Sequence, residues 1–176
     1  MPRIISGQRI GRVFGTPTGS ANVETEIDFQ LGPRQGVQIE SVLGHGIFRD
    51  NTPTPSDTAV VASRGVQSLH LDTGTLETVP MEVGDDEVTI DSEIFYIQTY
   101  QHLALVGSTN TFGAGMGMMV LPNGLVVFPE PILAARNITH RVESIGADVF
   151  LEAGLIFYYK YVEFSVQELG FLLARR

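Results

Sequence analysis

From Glu24 onward hydrophobic and polar residues alternate. Ile27, Phe29 and Leu31 fall on one side of an extended chain and Glu26, Asp28 and Gln30 on the other, the period-two pattern of a strand with one buried face. Val37, Ile39 and the run from Val42 to Phe48 continue it. Residues 50 to 57, Asp-Asn-Thr-Pro-Thr-Pro-Ser-Asp, predict a loop, because Pro and Asx residues favour turns over ladder pairing. Short strands are then expected at 59–62, 66–71, 76–81 and 87–99, punctuated by Gly65, Gly74 and Gly84-Asp85-Asp86. The chain stays apolar from Tyr96 to Val106, and Gly107 to Gly117 reads as a Gly/Ser/Thr/Asn loop.

Two apolar runs, Met118 to Leu121 and Leu125 to Phe128, flank Pro122-Asn123-Gly124. Asn and Gly tolerate the positive φ of tight turns, so a β-hairpin is expected, ended by Pro129-Glu130-Pro131. Strands follow at 132–142 and 147–164, the second carrying Phe150, Phe157, Tyr158, Tyr159, Tyr161 and Phe164. In that last strand Phe157, Tyr159 and Tyr161 share one face, with Tyr158 and Lys160 on the other. Apolar residues on both faces fit a central strand covered on both sides, by a second sheet or by a neighbour. Ser165 followed by Glu168 is a capping-box spacing ahead of Leu169, Leu172 and Leu173, which predicts a short C-terminal helix. Residues 1–20, rich in Gly, Pro, Ser and Thr, read as an extended N-terminal arm preceding a single domain over 21–176.

Eight to ten strands with turn signals between them and one short helix define an all-β class: an antiparallel β-sandwich of single jelly-roll type. Composition is consistent with this. A chain of 176 residues buries about 70% of its unfolded surface without metal or disulfide staples, and it has no cysteine, which excludes thiolate metal sites and cysteine nucleophiles. Twenty acidic residues stand against 11 basic ones, a net charge of −9, with no Lys/Arg cluster, so direct nucleic-acid binding is not expected. No apolar stretch is long enough for a helical membrane span, and the start of the chain has no signal-peptide core, so a soluble protein made in the cytoplasm is expected. Only 18% of residues are charged while 43% are hydrophobic, a balance that fits surface covered by neighbouring subunits as well as a large β core.

Candidate chemistry is sparse. His45, His70, His102 and His140 are scattered, and His70-Leu71-Asp72 supplies one histidine and one carboxylate where a cupin metal site needs His-x-His and a following Glu; no metal or cofactor is expected. Asp85, Asp86, Glu87, Asp91 and Glu93 read as a solvated turn and strand face. Gly113-Ala-Gly115-Met-Gly117 lacks the Lys-Ser/Thr of a phosphate loop, and Asn137-Ile138-Thr139 matches a glycosylation sequon by chance. No Ser/His/Asp arrangement points to catalysis, and an enzyme is not expected.

The segments from Leu125 to Val142 and from Ala147 to Leu173, a hairpin, a Pro-Glu-Pro break and a long aromatic strand running into a C-terminal stub, are the basis of one resemblance. Over residues 20–170 the arrangement resembles the smaller, single jelly-roll major capsid protein of the tailless, membrane-containing icosahedral viruses of thermophilic bacteria and haloarchaea. The resemblance implies a structural virion protein that builds an icosahedral shell by self-association, alone or with a second capsid protein, and that needs no basic arm where a membrane separates shell from genome. The subunit contacts expected are Ile4, Ile5 and Ile10 of the arm, Met116, Met118 and Met119, and Phe171, Leu172 and Leu173 at the C-terminus. A carbohydrate-binding or cupin-like module and a virion decoration or spike protein are the alternatives.

Overall fold

The computed structural model describes residues 1–17, 21–50, 60–71, 94–105, 117–120, 124–145 and 149–174. Its elements are β1 (Arg3–Ile4), β2 (Arg9–Gly15), β3 (Ala21–Ile27), β4 (Gln35–Asp50), β5 (Val60–Leu71), β6 (Ile94–Leu105), β7 (Gly117–Val120), β8 (Gly124–Ala134), β9 (Ile138–Ile145), β10 (Val149–Glu163) and α1 (Val166–Ala174). The described strands form two antiparallel sheets. In sheet 1, β1 and β2 both pair with β10, which pairs with β4, which pairs with β8; sheet 2 runs β3, β9, β5, β6, β7. Pairing is nested: β2 with β10, β3 with β9, β4 with β8 and β5 with β6. A nested antiparallel ribbon rolled into two packed sheets is the jelly roll that the alternation predicts.

The core lies between the sheets. Val37, Ile39 and Val42 of β4, Ala153, Leu155 and Phe157 of β10, Leu69 of β5 and Ile138 and Val142 of β9 are all but inaccessible to solvent. Each large apolar side chain buried in this way contributes about 1.5–3 kcal/mol. A slip in register between Tyr158 and Tyr159 of β10, opposite Ser41 and Ile39, leaves Glu40 unmatched and keeps Val37 and Ile39 on the core side with Val42. Phe29, Phe157, Tyr159 and Tyr161 stack there, with centroids 5.2–6.1 Å apart from Phe29 to Phe157 and Tyr159 and 5.6 Å from Tyr159 to Tyr161.

The helix starts where the capping box places it. Ser165 Oγ accepts from the Glu168 amide at 3.2 Å and Glu168 Oε2 accepts from the Ser165 amide at 2.9 Å, so two otherwise unpaired N–H groups are satisfied reciprocally. The Ser165 amide, foremost, holds the Glu168 carboxyl down to about 2.

Four expectations are corrected. First, the arm is partly sheet: β1 and β2 add to β10. Gly11 and Gly15 look like loop residues by composition, but they form the core-facing side of β2, where a Cβ would strike the Phe157 ring at 2.0 Å and the Val142 side chain at 2.7 Å.

Second, Met118–Val120 and Leu125–Phe128 are not a hairpin. β7 pairs with β6 in sheet 2 and β8 with β4 in sheet 1, so the intervening residues link the two sheets. Turn chemistry serves either connection, and the long-range partners decide.

Third, Pro129 and Pro131 do not end β8. The register jumps from Ser41–Val127 to Ile39–Ile132, placing both prolines in a bulge on an edge strand, where a missing N–H costs no ladder bond. Residues 135–137 then separate β8 from β9, dividing the strand expected at 132–142.

Fourth, β3 ends at Ile27 rather than continuing to Leu31. Asp28 Oδ1 accepts from the Gln30 amide at 2.7 Å, and Gln30 and Arg34 take positive φ of 52° and 60°, which no strand allows. Conversely, the segments 59–62 and 66–71 join in one strand, β5. The strand expected at 76–81 and the first part of that at 87–99 lie outside the described residues.

Candidate interaction surface

Strand parity assigns the residues of β10 from Ala153 to Tyr158, and their partners on β2 and β4, to a face. Ala153, Leu155 and Phe157 of β10 face the core, so Gly154, Ile156 and Tyr158 face outward, and registration carries that assignment to the neighbouring strands. Opposite Gly154 lie Phe14 on β2 and His45 on β4; opposite Ile156 lie Arg12 and Leu43; opposite Tyr158 lie Ile10 and Ser41. Leu43 and Ser41 in turn meet Leu125 and Val127 of β8. The packing agrees, since a Cβ on Gly154 would meet both the His45 ring and the Phe14 ring.

The outward face of sheet 1 is therefore a continuous field built from Ile10, Phe14, Ile156, Tyr158, Leu43, Leu125 and Val127, crossing four strands. Ile10 and Phe14 are 56% and 53% exposed, and Leu125 and Val127 are 57% and 64% exposed. An antiparallel sheet with one wet face carries polar residues on it; here Arg12, Ser41 and His45 are the polar residues within the field. Its ends are charged. Glu152 lies beyond Gly154 on the same side of β10, and at the other end Lys160 donates to Glu40, which also accepts from Gln8 Nε2 at 3.0 Å. An apolar centre with a polar border has the anatomy of a protein interface.

Beneath this face, the core side of β4 approaches sheet 2 at Gly44 and Gly46, where sheet 2 supplies polar groups. Gln98 Oε1 accepts from Gln67 Nε2 at 2.8 Å, Tyr96 OH at 2.7 Å and Tyr100 OH at 2.9 Å. Gln67 Nε2 also donates to the Tyr100 oxygen, and Gln67 Oε1 accepts from His140 Nε2 at 3.2 Å. That bond assigns the Nε2–H tautomer and leaves Nδ1 buried with no hydrogen-bond partner among the described residues. Burial, reinforced by His70, lowers the His140 pKa to about 4, and burial raises the Tyr96 phenol to about 12. All five side chains belong to sheet 2 and are uncharged at neutral pH; the cluster meets sheet 1 at Gly44 and at the His45 carbonyl, which lies 3.5 Å from Gln67 Nε2.

The expected contact residues fall in several places. Ile10 lies in the outward field. Ile4 is exposed on β1 opposite Val162, and Ile5 is exposed beside it, its amide donating to the Tyr161 carbonyl at 2.9 Å. Phe171 is 73% exposed on α1, with Leu173 exposed and Leu172 half-buried. Met118 and Met119 stand on β7 opposite Leu103 and His102, and Met116 lies outside the described residues. Phe14, Leu43, Leu125, Val127, Ile156 and Tyr158 were not singled out. The signal for them was β10, whose apolar run has no polar side.

The residues considered for other chemistry are dispersed. Phe157, Tyr159 and Tyr161, the rings a sugar would stack on, face the core. His70 is buried and bonded to Ser68 at 2.7 Å, and His45 is on the opposite sheet. Asp72, Asp85, Asp86, Glu87, Asp91 and Glu93 lie outside the described residues. Among the described residues no three His, Cys, Asp or Glu side chains gather as metal ligands, and no helix is long and apolar enough to cross a membrane.

No protein-family model matches the sequence, and none of the curated proteins matches it. Among solved structures it is similar to a chain of the "Structure of infectious bursal disease virus Gx strain", with 11% identity and a TM-score of 0.24 over 91% of this chain and 37% of that one. This chain thus spans well under half of that chain, and a likeness so loose carries no argument here.

Proposed function

We propose that this protein is a structural subunit of a virion shell, a jelly-roll capsid protein that works by association rather than catalysis. The observation that carries the reading is the outward apolar field of sheet 1, which a free monomer would leave in water. The occupant proposed is a second copy of the chain. Each copy carries a net charge of −9, and the field holds no carboxylate between Glu152 and Glu40, Arg12 being its one charged residue there, so copies meet without contact between carboxylates. The nested topology and the resemblance of the sequence to the smaller capsid proteins of membrane-containing icosahedral viruses support the same role, with a second capsid protein as a further neighbour in the lattice. The fold by itself is shared by lectins and cupins and does not decide among them.

The test is the solution mass of the purified protein by light scattering across concentration and salt, with electron microscopy of large species. Sheets, shells or species growing with concentration are the expected result. A closed trimer or pentamer would favour a decoration or spike protein, since closed symmetry leaves no free surface for growth. A strict monomer throughout would overturn the self-association reading.

A further inference from the structure

Sheet 1 ends at β8, whose far side pairs with nothing among the described residues. A sheet edge presents a row of unpaired N–H and C=O groups, and soluble proteins guard such edges with charge, proline or bulges. The edges of this sandwich differ in that respect. At the β3 edge Glu24 and Glu26 are exposed, and at the β2 edge Arg9 and Arg12 are. The first four residues of β8, Gly124-Leu125-Val126-Val127, are uncharged and exposed, Val126 being 42% exposed, and the proline bulge begins only after them. The lack of charge extends along the chain, since no Asp, Glu, Lys or Arg occurs from Leu103 to Pro129.

We infer that the Gly124–Val127 edge is a self-association edge, to which β8 of a second copy adds in antiparallel fashion about a two-fold axis. The segment is self-complementary. With Val126 on the axis, Leu125 of each copy lies opposite Val127 of the other, on the outward face, and the two Val126 side chains meet on the side facing sheet 2. A two-fold perpendicular to the sheet keeps the outward faces on one side, so the apolar fields of both copies join into one wider surface. For a strongly acidic chain this uncharged edge lets two copies approach with little like-charge repulsion. The inference rests on the proposed self-association but names a separate contact, the edge rather than the face.

The experiment is a charge swap at the axis. Val126→Lys and Val126→Glu are each prepared in the full chain and the mass is measured alone and in equimolar mixture. Like charges directly opposite one another weaken a strand pair and opposite charges support it, so each variant alone is expected to associate about two- to fivefold more weakly than wild type, and the mixture to recover. Variants that associate as wild type, or that dissociate without recovery on mixing, would overturn the edge contact. A wild-type chain that is monomeric throughout would instead overturn the self-association on which it rests. Amide hydrogen exchange of wild type gives a second reading that does not depend on the variants folding: protection of residues 124–127 that rises with protein concentration supports the edge, and exchange unaffected by concentration while the mass grows refutes it.

Discussion

Gly44→Ala is the substitution expected to do most damage for its size. A Cβ built on Gly44 falls 1.9 Å from Gln98 Oε1, 2.2 Å from Tyr96 OH and 2.8 Å from Gln67 Nε2. The methyl would occupy the position of the one oxygen on which three donors converge. Forcing the sheets or the side chains apart costs about 1–3 kcal/mol as overpacking. Displacing Gln98 leaves donors of Gln67, Tyr96 and Tyr100 buried without their acceptor, which adds about 1–3 kcal/mol even if some find other partners. The expected loss is thus about 2–6 kcal/mol, a large share of the roughly 5–15 kcal/mol that holds a domain together. Urea unfolding at one fixed protein concentration measures it, with Gly7→Ala as the control. Nothing lies within 4 Å of a Cβ at Gly7, so that change should stay within about 0.5 kcal/mol. A Gly44→Ala protein as stable as the control would refute the account of the sheets being joined by close approach of β4 to the polar cluster.

Three further outcomes are expected. The folded-state pKa of His140, about 4, lies below its ordinary value of 6.5, so as pH falls below 6.5 the unfolded chain takes up the proton first. Stability should therefore decline by about 3 kcal/mol between pH 6.5 and 4 through this residue, and urea midpoints across that range should fall less steeply for His140→Gln; equal slopes would refute the assignment. Ser165→Ala should remove the reciprocal cap and cost about 1 kcal/mol of local helix stability, read as faster amide exchange over Val166–Ala174 with exchange in β4 unchanged. Raising salt screens the charge of −9 on each copy and strengthens apolar contact, so mass should rise with salt; a fall would point to association through ion pairs.

The sandwich was legible because its strands alternate, and β10 was recognisable as a central strand because neither of its faces is polar. The Ser165–Glu168 cap was legible because both partners are local. The errors have a common origin in distant partners. The glycines of β2 look like loop residues until Phe157 and Val142 are seen to occupy the space they leave. The turn signal at Pro122-Asn123-Gly124 suggests a hairpin that the flanking strands do not form, because β6 and β4, far away in sequence, pair with them instead. Pro129 and Pro131 stop a central strand but not an edge strand that bulges. The outward field was least accessible of all. Its residues come from β2, β4, β8 and β10, of them only Ile10 is expected as a contact from the sequence, and they share a surface only once registration sets Ile10 beside Tyr158 and Leu43 beside Leu125.

The most direct test of the outward face as the surface of association is the solution mass of Ile10→Glu/Phe14→Glu beside that of wild type at matched concentration. Both side chains are exposed on β2, so the fold should tolerate the change, and an unaltered far-ultraviolet spectrum and unfolding midpoint would verify that. Association of wild type beyond a dimer, with a double variant of no more than the dimer mass that the β8 edge allows, is the result expected; a double variant that associates as wild type does would contradict the role assigned to this face.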